Sequence, residues 1–257
     1  MPFLFTATII FAGSGNKSCF FYYFQGMFKT LSALLFITCL SCFSAVAQKL
    51  PSAEKVIARY VEVIGGSKKW AAIKTSEFRL ELSGDSTVKI HIVKKIPDAY
   101  YQSLTAANAS ETSTYNKGKL VNTINSEISR ITDPKAIDDL ALQAYALPDM
   151  AYKNLGYTMV NLGIKYVDDM PCYEIKLVSK LGTEILNYYE VKSGYLRMVD
   201  TRDMKSYFED YKMVQGYGLP HDMKMLVQGT MIVFKVKSWV INKPIDESLF
   251  ITPDASK

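Results

Sequence analysis

Residues able to do acid–base, nucleophilic or metal chemistry are few and scattered in this chain. Its two histidines, His91 and His221, are far apart, and neither has another His, Cys or carboxylate at the spacing a metal site needs. His91 reads as a strand residue on the face of Lys89, and His221 as a loop or strand-start residue beside Asp222. The adjacent carboxylates Asp138-Asp139 and Asp168-Asp169 diverge by about 100° on a helix or point to opposite faces of a strand. Neither pair makes an acid/base dyad by itself, so both read as solvated helix and turn charges. Cys172 follows Pro171 at a strand start, with no histidine near in sequence to activate it. No nucleophile elbow, phosphate-binding loop, dinucleotide fingerprint or CxxC pair occurs. The expectation is a protein without catalysis, metal or cofactor.

The elements that carry these residues have two periodicities. Ser52 caps an opening helix whose apolar stripe is Val56, Ile57, Tyr60, Val61 and Ile64, and Gly65-Gly66 ends it. After Trp70 the period falls to two. Phe78, Leu80 and Leu82 alternate with Glu77, Arg79 and Glu81, and Val88, Ile90 and Ile92 with Lys89 and His91, across a Gly84-Asp85 turn. Further strands are predicted at 99–104, 112–115 and 119–125. The middle then breaks the pattern: Asp133-Pro134 is an N-cap and first-turn pair before the Ala/Leu-rich 136–146, Pro148 stops that helix, and 149–155 reads as a second short one. Strands resume with Tyr173, Ile175 and Leu177, continue through 183–191, 195–199 and 204–211, and end with Met223, Met225 and Val227 and then Ile232, Phe234 and Val236. About ten strands in meander order emerge. Short turns pair them antiparallel, and a large twisted sheet with one apolar face must be covered. The fold class is mainly β (α+β): a curved antiparallel sheet forming an incomplete barrel under a helical lid.

Met27 to Gln48 reads as a secretory signal peptide. Lys29 supplies the positive n-region, Leu31 to Phe43 an apolar core, and Ala45-Val46-Ala47 a cleavage site after Ala47. An apolar stretch of that length reaches only about 20 Å as a helix, short of the roughly 30 Å hydrocarbon core. An outer-membrane lipoprotein acylated at Cys42 is the lesser alternative, because Cys39 stands where a lipobox wants an aliphatic residue. Residues 1–26 read as an upstream mis-called start or a non-structural extension, 27–47 as the signal peptide, and 48–257 as one domain. All 25 acidic and 28 of the 30 basic residues follow Ala47, a net +3, with the basic residues spread along wet strand faces. Nucleic acid is disfavoured. One cysteine in the exported part rules out an internal disulfide and fits a periplasm.

Alternation alone nominates ligand-facing residues: Phe78, Leu80, Leu82, Ile90, Ile92, Tyr173, Ile175, Leu177, Met223, Met225, Val227, Ile232, Phe234 and Val236. A packed core demands the same pattern.

Several segments resemble the LolA-like superfamily of periplasmic lipoprotein carriers, lipoprotein-sorting relatives and lipid-binding half-barrels. They are Ile64-Gly65-Gly66 with Trp70-Ala71-Ala72-Ile73-Lys74, Lys94-Lys95-Ile96-Pro97-Asp98, Tyr207-Phe208-Glu209-Asp210-Tyr211 leading to Gly218-Leu219-Pro220-His221, Asn242-Lys243-Pro244-Ile245-Asp246, and Leu249-Phe250-Ile251-Thr252-Pro253. The resemblance implies a half-barrel whose concave face takes a lipid or lipoprotein acyl chain beneath a lid, in a monomer that crosses the periplasm. It also implies a lid-closing arginine just before the second-strand proline, where this chain has Ile96, preceded by Lys94 and Lys95. The alternative is a non-catalytic accessory subunit holding an envelope protein partner.

Overall fold

The computed structural model describes residues 49–201 and 203–252; the signal-peptide reading of 27–47 and the reading of 1–26 lie outside them. Ser52 caps helix α1 (Ala53–Val63), its hydroxyl accepting from the Lys55 amide. Ala53, Val56, Ile57, Tyr60 and Val61 bury one stripe. Gly65, at φ +123°, turns the chain where a Cβ would lie 2.6 Å from the Gly216 carbonyl oxygen. Helix α2 (Ser67–Ala71) follows and buries Trp70, whose indole N–H donates to the Ile64 carbonyl at 3.1 Å.

Among the described residues thirteen strands form one antiparallel sheet. The first meander is β1 (Thr75–Leu82), β2 (Asp85–Lys95), β3 (Ala99–Ala106), β4 (Ala109–Asn116), β5 (Lys119–Ile124) and β6 (Glu127–Ile131). The second is β7 (Thr158–Val167), β8 (Met170–Val178), β9 (Glu184–Glu190), β10 (Leu196–Asp200), β11 (Met204–Val214), β12 (Tyr217–Val227) and β13 (Thr230–Ile241). Pairing of β1 with β13 joins them, so β6 and β7 are the two outer edges. The edges are not paired with each other, and the barrel is incomplete.

That topology dictates the lid. Between β6 and β7 the chain must cross from one edge of the sheet to the other, and it does so through α3 (Pro134–Gln143), a 3-10 turn (Pro148–Met150) and α4 (Tyr152–Leu155). Twelve strand spacings of about 4.8 Å would set the edges of a flat sheet roughly 58 Å apart. A ten-residue helix advances only about 15 Å, so a flat sheet would pull the connection taut. Curvature brings the edges within its reach. Asp133 caps α3 by accepting from the Lys135 amide, with Pro134 in the first turn as expected.

Two strands were not expected from the sequence. Strands resume at Thr158 rather than at Tyr173, because β7 alternates Val160, Leu162, Ile164 and Tyr166 and is interrupted by a bulge between Asn161 and Gly163. All four apolar side chains are exposed. β6 is short and polar, pairing only with β5 at the opposite edge.

Candidate functional site

Residues directly opposite each other in antiparallel strands share a face, so the register locates the predicted site. Phe78 pairs with Ile92 and Trp239, Leu80 with Ile90 and Val236, and Leu82 with Phe234. Phe234 also pairs with Met223, and Ile232 with Met225. Val227 continues that face on β12. Eleven of the fourteen predicted residues thus make one patch across the central strands β2, β1, β13 and β12. Tyr173, Ile175 and Leu177 lie apart on β8, near the β7 edge.

The two groups differ in what covers them. Ile175 and Leu177 are fully buried, and with Tyr189, Ile185 and Leu196 they form a solid core against α1. Tyr173 packs on its margin. A closed end of the central patch is built by aromatics: the Trp70 ring meets Tyr217 at 5.2 Å and Trp239 at 5.9 Å, and Phe78 meets Trp239 at 6.1 Å. Ile92 packs beneath α3 with Tyr100, Tyr115 and Leu120. The other nine, Leu80, Leu82, Ile90, Met223, Met225, Val227, Ile232, Phe234 and Val236, belong to none of the four core clusters among the described residues. Of these nine, Leu80 and Phe234 are buried and the rest half-buried. Helix α1 leans on β7 and β9, and α3 on β3, β4 and β5, while Trp70 of α2 covers one end of the central strands.

The opposite face of these strands and of the neighbouring β10 and β11 is charged and paired. Lys237 meets Glu81 at 3.1 Å, Lys235 meets Asp222 at 3.1 Å, and Lys224 and Arg197 share Glu209 at 2.7 and 2.9 Å. His91 also lies there, 2.9 Å from Glu77. Sequence reasoning missed Leu104, opposite Ile90, Phe208, opposite Met223, and Trp239. The register shift at Arg79/Leu80 hid Trp239 by placing it out of step with Val236, whereas Leu104 and Phe208 lie inside predicted strands.

Polar contacts on two sides hold the lid segment to the sheet. Lys94 Nζ donates to the Tyr145 carbonyl at 3.1 Å, just past α3, and sits 5.8 Å from the centre of the Tyr100 ring. Burial pushes its ammonium down to about 8. Lys94 therefore reaches the lid from two residues before Ile96, which packs on the main core. On the other side Tyr189 donates to Asp149 of the 3-10 turn, and the Asn187 amide donates to the hydroxyls of Tyr189 at 2.9 Å and Tyr152 at 3.1 Å. Burial raises the Asp149 carboxyl to about 6, and the Tyr189 hydrogen bond offsets part of that rise.

The scattered chemistry residues stay scattered. Among the described residues no group of three or more His, Cys, Asp or Glu is placed to hold a metal ion. Asp168 and Asp169 occupy positive-φ turn positions between β7 and β8. Cys172 is fully buried, and burial pushes its thiol up to about 11, away from the nucleophilic thiolate. A cleft of about 410 Å³ opens between α1 and the segment containing Asp149, and none of the fourteen predicted residues lines it. No helix among the described residues is long and apolar enough to cross a membrane.

No family model matches the sequence, and no curated protein matches it. Solved structures do. A LolA superfamily protein from Nitrosomonas europaea superposes with a TM-score of 0.51 at 12% identity, over 79% of this chain and 99% of that one. A DUF1329 family protein from Desulfovibrio piger gives 0.51 at 12%, over 77% and 97%. An outer membrane lipoprotein-sorting protein domain from Vibrio parahaemolyticus gives 0.49 at 11%, over 77% and 95%. At such identities the likeness speaks for architecture alone. The open thirteen-stranded sheet with its edge-to-edge helical crossing is a LolA-like fold.

Proposed function

We propose that this protein is a periplasmic carrier or binding protein for lipid or lipoprotein, holding an acyl chain against the central strands of its concave face. The supporting observation is the patch of nine apolar side chains in continuous register on β2, β1, β13 and β12, outside the helix-centred cores. Each buried methylene contributes about 0.8 kcal/mol, so a chain of ~14 methylenes offers about 11 kcal/mol against an association cost of about 4 to 15 kcal/mol. The gain grows with each methylene, so longer chains bind more tightly than short ones. No directed chemistry is needed, and thioethers at Met223 and Met225 adapt to chains of differing shape. The signal-peptide reading of residues 27–47 motivates the compartment. Native mass spectrometry of the protein isolated from its own envelope, with fluorescent fatty-acid titration of the mature chain, tests the reading. A retained lipid and saturable binding that grows with chain length are expected; a ligand-free protein with no binding at any length would sink it.

One observation favours the second reading, an accessory subunit with a protein partner. The β7 edge is unpaired and exposes Val160, Leu162, Ile164 and Tyr166, and such an edge accepts a further strand. A stoichiometric protein captured without lipid, and lost in Leu162→Lys, would favour it over the carrier reading.

A further inference from the structure

The cleft beside α1 has a chemistry unlike that of the central patch. Its floor is apolar, made by Ile57 and Val61 of α1, Met150 of the lid and Met159 of β7. Four charged side chains line it, and three are carboxylates: Glu54 and Glu62 on α1 and Asp149 on the lid, against Lys153 on α4. Asp149 is the enclosed one, only 8% exposed. Its partner from the sheet side is Tyr189, which donates one hydrogen bond, and a carboxylate can accept several. The volume of about 410 Å³ lies at the small end of ligand pockets, which run from roughly 300 to 1,000 Å³.

We propose that this cleft is a second ligand site, separate from the central patch of the concave face, taking a small primary ammonium carried on an apolar body. An apolar floor disfavours sugars and other strongly hydrated molecules. Excess negative charge disfavours fatty acids and phosphates, so the cleft selects against the anionic ligands that a purely apolar groove tolerates. A cation entering it meets the Asp149 carboxylate in a site of low dielectric, where one charge-assisted hydrogen bond counts for more than at the surface. The two methionines give soft, adaptable contacts to an alkyl body. The proposal uses none of the residues assigned to acyl binding and stands whether or not that reading holds.

The test titrates the mature chain with n-octylammonium, octan-1-ol and octanoate by calorimetry. Octylammonium is expected to bind about tenfold more tightly than octanol, and octanoate more weakly than both. Asp149→Asn keeps an oxygen acceptor for Tyr189 and should bring octylammonium to within about threefold of octanol. Ala58→Trp places a large ring in the cleft from an exposed helix position; it should abolish octylammonium binding while long-chain fatty-acid binding by the same sample is unchanged. Octylammonium no tighter than octanol, or tight binding that survives Ala58→Trp, would overturn the proposal.

Discussion

The flank of the concave face beneath α1 and its centre are built from the same alternation and have opposite characters. On β8 and β9 the inward residues interlock with α1: Tyr60 and Tyr189 lie 5.4 Å apart, Ile175 and Leu177 are fully buried, and Asn187, Tyr152, Tyr189 and Asp149 form a hydrogen-bonded network inside the apolar packing. On β1, β2, β12 and β13 the nine inward residues outside those cores are aliphatics, methionines and one phenylalanine, mostly half-buried. Polar groups that must be matched specify a unique packing, whereas a face of saturated side chains accepts whatever apolar surface is laid on it. The flank is read as the part that holds the fold, and the centre as the part free to bind.

The sharpest way to break that contrast is to truncate each side. Ile175→Ala removes side-chain atoms from a fully buried site and should cost about 3 kcal/mol of unfolding free energy, with acyl binding by the folded fraction unchanged; denaturant melts and fatty-acid titration measure the two. Ile232→Asp in the half-buried centre should reverse the balance, weakening acyl binding by roughly tenfold or more at a stability cost below about 1 kcal/mol. If both variants lose stability and binding together, the contrast fails.

The two tethers of the lid sharpen it further. Lys94→Met removes the hydrogen bond to the Tyr145 carbonyl, and amide exchange across 134–143 should speed up while that of β8 and β9 does not. The Lys94 ammonium falls from 10.5 to about 8 in the fold. Between those values the unfolded chain holds a proton that the native one has lost, so stability should rise with pH across that window, and Lys94→Met should flatten the rise. Asp149 gives the smallest and opposite effect. Its carboxyl rises from 3.8 to about 6, so between those values the native state holds the extra proton, and stability should fall as pH climbs from about 4 to 6. Asp149→Asn should remove that slope in melts recorded across the range.

Much of this was legible in the residues. Ser52 and Gly65-Gly66 bracket α1, and Asp133-Pro134 starts α3, because caps and turn residues act locally. Period-two runs located β1, β2, β12 and β13 and with them the central patch. β7 has an equally regular run, yet its bulge at Asn161/Gly163 and its place at an edge leave that run exposed, and edge position is a property of topology that alternation does not encode. Tyr173, Ile175 and Leu177 read the same as Met223 and Met225, since burial against a helix and burial against a ligand demand the same side chains. What separated them is where α1 and α3 lie, which follows from the edge-to-edge crossing of the lid. Lys94 was visible beside Ile96, but its reach to the Tyr145 carbonyl joins residues far apart in the chain.

Methionine methyl NMR of residues 48–257 tests the central claim most directly, because the thioethers report from different regions. On titration with palmitate, the methyl signals of Met223 and Met225 should move saturably while that of Met198, buried with Cys172 and Tyr188 away from the patch, stays fixed. Movement of Met198 without Met223 and Met225, or no saturable movement at all, would contradict the account.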